Sequence, residues 1–230
     1  MQKKIVVLTG AGMSAESGIS TFRDSNGLWE NHDIMEVASP EGWKKNPALV
    51  LDFYNKRRAQ LKEVQPNKGH EILAELEQNF NVQIITQNVD NLHERAGSKN
   101  ILHLHGELIK VRGEFSENES IYWETDIHLG DVNEKAEQLR PDIVWFGEQV
   151  PAINFAITHM QTADIVIIIG TSLQVYPAAG LMHYTKSHVP VYYIDPNPAT
   201  IYDLANPLEV LPMSASEGME ILKENLIKKV

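Results

Sequence analysis

Short runs of β-branched and apolar residues recur along the chain, each followed by turn residues and then by apolar positions at helical spacing. The strand-like runs cover residues 4–8, 82–86, 101–105, 142–146, 164–169, 189–194 and 208–211. Several, such as 165–169, are apolar throughout instead of alternating, the pattern of strands buried on both faces of a parallel sheet. Helical spacing fills the gaps. Asn67 precedes Ile72, Leu73 and Leu76, and Pro177 precedes Leu181 and Tyr184. Ser214 and Glu217 have capping-box spacing ahead of Met219, Leu222 and Leu226. Alternation of this kind predicts a doubly wound α/β fold, Rossmann-like, with a parallel sheet.

Two segments break the rhythm. Residues of about 30–65 read as helices alone, with Ser39-Pro40 and Asn46-Pro47 as cap-plus-first-turn signals. Residues of about 107–140 are polar and weakly patterned, with a turn-like stretch at 116–120. The expectation is one domain of 230 residues. A Rossmann-like part takes about 1–29, 66–106 and 141–230. A small inserted helical or irregular subdomain takes the rest.

Composition narrows the partners. The net charge is −11, and the largest basic cluster is Lys56-Arg57-Arg58. That balance argues against nucleic-acid binding and for cationic partners such as lysine-rich segments. No stretch approaches the roughly 18 apolar residues of a membrane span. The run after Met1-Gln2-Lys3-Lys4 ends at Thr9-Gly10, short of the about 7–15 residues of a signal-peptide core. A cytoplasmic protein that does not engage a membrane is expected. There is no cysteine, so thiol nucleophiles and thiolate zinc sites are excluded.

The first run leads into Gly10-Ala11-Gly12-Met13-Ser14-Ala15, which reads G-x-G-x-x-A. Glycines in this context let the backbone approach a pyrophosphate at a helix N-terminus, though a loop that merely turns the chain fits equally well. A dehydrogenase would carry an acidic residue about 20 positions on, at the end of a second strand. Asp33 stands near that distance, but Glu30-Asn31-His32-Asp33 has no strand pattern.

More specific blocks follow. Residues 10–29 read GAGMSAESGISTFRDSNGLW, and then come Thr86-Gln87-Asn88-Val89-Asp90-Asn91-Leu92 and Leu104-His105-Gly106. The series ends with Arg140-Pro141-Asp142-Ile143-Val144-Trp145-Phe146-Gly147-Glu148 and Gly170-Thr171-Ser172-Leu173. Five blocks in this order resemble the sirtuin family, and in particular its bacterial desuccinylase/deacetylase (class III) type. The resemblance implies that NAD is consumed as a co-substrate. A modified lysine's acyl oxygen would attack the nicotinamide ribose and expel nicotinamide, and a ribose hydroxyl would then carry the acyl group away.

The resemblance also implies roles. His105 occupies the position of the catalytic base, a task that suits an imidazole with an ordinary pKa of about 6.5. It shares a strand face with His103. A metal pair is the rival reading of H-x-H, but no third ligand is evident in the sequence. Asn88 and Asp90 resemble the pair that orders a water and the nicotinamide carboxamide, and Gln87 a ribose contact beside Val89. Phe22, Arg23 and Trp29 resemble parts of the cofactor loop. Gly10, Ala11, Gly12, Ala15, Gly170, Thr171 and Ser172 would hold phosphates and ribose. Asp195, Asn197 and Ala215 match adenosine contacts, with Asp195 standing where the family usually has Asn. Val144, Phe146, Gly147 and Glu148 resemble the strip that pairs with an acylated-lysine protein or peptide.

Acyl preference is carried by one helix face. Val50, Tyr54, Arg57 and Leu61 share it at i, i+4, i+7, i+11 spacing. An arginine there either snorkels to water or binds an anion. Tyr54 and Arg57 resemble the pair found in sirtuins that remove succinyl or malonyl groups, and Ala38 the small residue that leaves room for them. Desuccinylation with deacetylation retained is expected. A mono-ADP-ribosyltransferase and a non-catalytic NAD or ADP-ribose sensor are the alternatives.

Sirtuins usually carry two cysteine pairs between the His-Gly and Phe-Gly-Glu blocks. Here 107–145 has none, with Gly113 about where the first would stand, so no zinc is expected. Ile121, Tyr122, Trp123, Ile127 and Leu129 are the expected core of that subdomain.

Overall fold

The run at residue 4 becomes the middle of a six-stranded parallel sheet. The computed structural model describes residues 2–20, 32–116 and 119–228, with the backbone alone of Leu28–Trp29. The strands are β1 (Lys4–Thr9), β2 (Leu28–Trp29), β3 (His32–Asp33), β4 (Asn81–Thr86), β5 (Ile101–His103) and β6 (Gly106–Gly113). They continue with β7 (Ile121–Tyr122), β8 (Leu139–Ile143), β9 (Ile165–Ile169), β10 (Val191–Ile194) and β11 (Leu208–Leu211). The helices are α1 (Gly12–Ala15), α2 (Ile34–Val37), α3 (Pro40–Lys45), α4 (Pro47–Glu63), α5 (Lys68–Leu76), α6 (Leu92–Arg95), α7 (Ile153–Gln161) and α8 (Ala215–Ile227). A 3-10 turn covers Ala178–Tyr184.

The large sheet runs β11-β10-β9-β1-β4-β5. In chain order this is the doubly wound arrangement, whose switch point falls between β1 and β9. Alternate residues of β1 feed two cores. Ile5 and Val7 pack with Ile72 and Leu73 of α5 and Met219 and Leu222 of α8. Val6 and Leu8 pack with Ala156 and Met160 of α7 and Leu181 of the 3-10 turn. All four β1 side chains are fully buried, each contributing about 1.5–3 kcal/mol of transfer free energy. The predicted caps form: Asn67 and Ser214 each close a capping box, and Ser39 and Asn46 accept from Gly42 and Leu49 amides. No helix among the described residues is long and apolar enough to cross a membrane.

The run expected as a strand at 142–146 is shifted and belongs elsewhere. β8 begins at Leu139 and pairs antiparallel with β6 in a separate sheet ordered β7-β6-β8. The segment read as helical or irregular therefore contains a three-stranded sheet. Pro141 sits in β8, an edge strand, where its missing amide leaves no interior ladder bond unmade. The expected core is also corrected. Ile127 is buried and Trp123 is partly buried, but Ile121, Tyr122 and Leu129 lie exposed. Leu108, Val111, Leu139 and Ile143 fill the interior instead, against Val50, Phe53 and Tyr54 of α4.

Polar staples complete this region. Asn55 on α4 donates to the Ile127 carbonyl and accepts from the Ile127 amide, both at 2.9 Å. Ser116 and Asn133 both donate to Glu137 beside Gly113, and a Cβ at Gly113 would collide with those Glu137 and Asn133 side chains. Asn55→Ala removes these two hydrogen bonds and a third, accepted from Arg58 Nη1 at 2.9 Å, and strands their partners. We expect about 2 kcal/mol of destabilisation, read as a lowered midpoint in urea unfolding.

Candidate active site

At the switch point, two glycine turns lock together. Gly10 N–H donates to the Ile169 carbonyl at 3.0 Å and Gly12 N–H to the Gly170 carbonyl at 2.8 Å. A Cβ on Gly12 would lie 2.7 Å from Gly170 Cα, and one on Gly10 2.8 Å from the Gly170 oxygen. Gly170 has φ +61°, and its Cβ would strike the backbone of Gly12 and Met13. Only hydrogen fits at these positions. The turns form the floor of a cavity of about 420 Å³, which Ala11, Ala15, Thr171 and Ser172 also line. Asp195, Asn197 and Ala215 also line it. Asp195 accepts from the Asn197 amide at 2.8 Å, and the Tyr193 hydroxyl ties Thr171 to Ala199. Asp33, in a stretch without a strand pattern in the sequence, ends the two-residue strand β3 and accepts from the Met35 amide at the start of α2.

Past β4, Gln87, Asn88, Val89 and Asp90 form the next stretch of wall. Gln87 donates to Thr171 Oγ1 at 3.2 Å across the cavity floor. Asn88 Nδ2 donates to Ser14 Oγ at 3.1 Å, and Ser14 donates on to Asp90 Oδ2 at 2.9 Å. Asp90 Oδ1 accepts from the Leu92 amide. Burial pushes the Asp90 carboxyl above its ordinary range, against the pull of the Leu92 amide and the Ser14 hydroxyl. Ser14 was not singled out in the sequence. It lies in the glycine block, and its role follows from partners 74 and 76 residues away.

His105 faces the same cavity. Its Nδ1 lies 3.0 Å from the Gln87 carbonyl. A carbonyl only accepts, so Nδ1 carries the hydrogen and Nε2 keeps its lone pair. Burial lowers the imidazole pKa, and the Gln87 carbonyl only partly offsets it. The neutral, basic form is therefore held at neutral pH. Gly106, at φ +81°, could bear no Cβ without meeting the Asp142 carbonyl. Among the described residues, the donor atoms gathered around His103 belong to Glu94 and Glu107.

Ala38, Tyr54 and Arg57 line this same cavity. Arg57 does not snorkel, because its Nε and Nη1 are buried. Trp145 Nε1 donates to the Tyr54 hydroxyl at 3.0 Å. Burial, opposed by Trp145, Arg57 and Arg140, pushes the Tyr54 phenol far above its usual range. Val144, Phe146, Gly147 and Glu148 border the cavity, but this strip is a turn, not a strand. The amides of Val144, Trp145, Phe146 and Glu148 are already engaged within the chain. Glu148 accepts from Arg140 at 2.7 Å and is held below its ordinary range by Arg140, the Trp145 amide and Arg112, which outweigh burial. Phe22 and Arg23 lie outside the described residues, as does the side chain of Trp29.

Comparisons with known proteins agree with this geometry. The model of the Sir2 family matches residues 10–177. An NAD-dependent protein deacylase of Helicobacter pylori is 58% identical over 226 residues, covering 98% of each chain. One of Bacteroides thetaiotaomicron is 57% identical over 231 residues, again covering 98% of each. The crystal structure of a Sir2 homolog–NAD complex superposes with a TM-score of 0.87 at 38% identity, over 99% of this chain and 91% of that one. With the blocks, the sheet order and the relatives in agreement, this chain belongs to the Sir2 family of NAD-dependent protein deacylases.

Proposed function

We propose that this deacylase removes succinyl, malonyl-like and acetyl groups from lysine side chains of protein or peptide substrates. One observation carries the reading. A single cavity joins the glycine floor, the His105 imidazole and the Tyr54–Arg57 end. The floor suits a dinucleotide, since the Gly10–Gly170 contact leaves backbone where side chains would otherwise stand. When bound, NAD supplies an electrophilic ribose carbon and a hydroxyl that accepts the acyl group.

The chain's residues divide the remaining work. Asn88 and Asp90, coupled through Ser14, hold the nicotinamide end and a water. His105 Nε2 takes the proton of the ribose hydroxyl, a step that needs the neutral imidazole its surroundings favour. Gly12 and Gly170 place backbone against the phosphates, Asp195 and Asn197 flank the adenosine, and Phe22 and Arg23 belong to the cofactor loop. The strip from Val144 to Glu148 receives the peptide through Gly147 and its carbonyls, because its other amides are engaged. At the far end, Arg57 pairs with a distal carboxylate while Tyr54 donates to it. Ala38, 3% exposed, provides the space.

Nicotinamide release, measured with acetyl-lysine and succinyl-lysine peptides, tests the reading. Both peptides should stimulate release and appear as free lysine. Release without a peptide requirement, with ADP-ribose attached to protein, would establish the transferase instead. No release with either peptide would leave an NAD sensor.

A further inference from the structure

His103 stands two residues before His105 and has no task in the reaction outlined above. Yet both of its ring nitrogens are engaged. Nδ1 lies 3.2 Å from the Asn88 carbonyl oxygen and Nε2 2.8 Å from Glu94 Oε1. A carbonyl and a carboxylate are both acceptors, so each ring nitrogen must carry hydrogen to make its bond. That species is the imidazolium. The side chain is 9% exposed, so these contacts stand in place of water.

We propose that His103, held as a cation by Glu94, is a positioning residue that fixes Asn88 and with it the nicotinamide end of the NAD site. The proposal rests on the roles given above to Asn88 and His105. Two consecutive carbonyls are read by two histidines of one strand and its exit: Gln87 by His105, Asn88 by His103. The Asn88 side chain is tied separately to Ser14, and Ser14 to Asp90. Asn88 is thus gripped by its backbone from β5 and by its amide from α1. Releasing the carbonyl leaves Asn88 held by its N–H on Thr86 Oγ1 at 3.0 Å and by Ser14, and loosens the geometry that Ser14 and Asp90 share.

The charges around His103 come from every neighbouring element. Glu94 approaches from α6 and Glu107 from β6, where Glu107 is itself bonded by Lys110. Asp90 and His93 feel its charge from the loop and α6. Burial is the largest single influence and opposes the cation. The bond and charge of Glu94, the charge of Glu107 and the Asn88 carbonyl together outweigh it, so the pKa is raised. The grip is therefore complete below the ordinary histidine pKa and is lost as pH rises through the raised value. The donor atoms of Glu94, His103 and Glu107 lie within 4.8 Å of one another, so a divalent cation is the rival occupant.

Steady-state kinetics of H103L, H103Q and E94Q, beside wild type and H105A, decide the matter. H103L should raise KM for NAD and the inhibition constant of nicotinamide by about tenfold, with KM for the peptide unchanged, as expected for one lost charged hydrogen bond. H103Q keeps an uncharged donor for the Asn88 carbonyl. It should recover most of the NAD affinity while losing the alkaline rise in KM. E94Q should move that rise to lower pH. A wild-type KM for NAD in H103L, together with an inactive H105A, would overturn the positioning role and leave the deacylase reading standing. An active H105A would overturn that reading itself. If H103L does not fold, an E94Q profile identical to wild type overturns the proposal. So does activity that EDTA removes and zinc restores, since His103 would then be a metal ligand.

Discussion

His105→Ala should reduce deacylation of acetyl-lysine and succinyl-lysine peptides alike, by about 10²–10⁴-fold in kcat. The loss is common to both substrates because the proposed base acts on the ribose hydroxyl, a group that both reactions share whatever the acyl chain. NAD binding should persist, since the glycine floor and the Asn88–Ser14–Asp90 chain do not depend on the imidazole. Isothermal titration with NAD separates the two effects. The pH profile carries a second expectation. Burial lowers the His105 pKa against the weaker opposing pull of the Gln87 carbonyl. The base is blocked only when protonated, so kcat/KM should hold down to pH values below the ordinary histidine range before its acid limb falls. An acid limb above pH 6.5 would show that another group limits the rate. Full activity in H105A would remove the histidine from the mechanism.

How much of this was legible in the sequence depends on distance along the chain. The Tyr54–Arg57 face was readable because helical spacing is local: the pair stands three positions apart, and both prove buried on α4. The strand order was readable in class, because the apolar runs of β1 and β9 admit no exposed face. The Asn88–Ser14–Asp90 chain was not. Its members come from two blocks that the parallel pairing of β1 with β4 brings together, and nothing at Ser14 itself marks it out from the neighbouring small residues. The small sheet was hidden for a different reason. β8 reads Leu-Arg-Pro-Asp-Ile, a sequence whose charges argue against a buried strand. Those charges are paired: Arg140 lies over the Trp145 ring and holds Glu148, and Asp142 faces Arg112. Composition alone shows two charges and a proline, and not the partners that permit them. The misplacement of Ile121, Tyr122 and Leu129 is the converse error. Apolar residues on a two-residue edge strand and a loop face solvent without penalty to the core beneath, and the interior is filled from β6, β8 and α4.

Arg57→Met is expected to separate two activities that His105→Ala abolishes together. Methionine approximates the length and apolar stem of arginine and adapts to irregular space, so the α4 face should still pack. The guanidinium is lost. A charge-assisted hydrogen bond contributes about 1.5–3 kcal/mol, and each 1.4 kcal/mol is about tenfold. Desuccinylation should therefore fall about 10–100-fold in kcat/KM, while deacetylation changes by no more than about threefold because the acetyl group presents no carboxylate. Tyr54→Phe is a less clean probe of the same end. The Tyr54 hydroxyl accepts from Trp145 Nε1, so its removal strands a buried indole N–H at a cost of about 1–3 kcal/mol. Trp145 is also the residue from which the peptide strip continues to Glu148. Tyr54→Phe should consequently weaken both activities, desuccinylation more. Equal losses in Arg57→Met would place the succinyl carboxylate elsewhere in the cavity. Selective loss in Arg57→Met beside shared loss in Tyr54→Phe would mark Arg57 as the residue that reads acyl charge and Tyr54 as the one that joins that reading to the peptide strip.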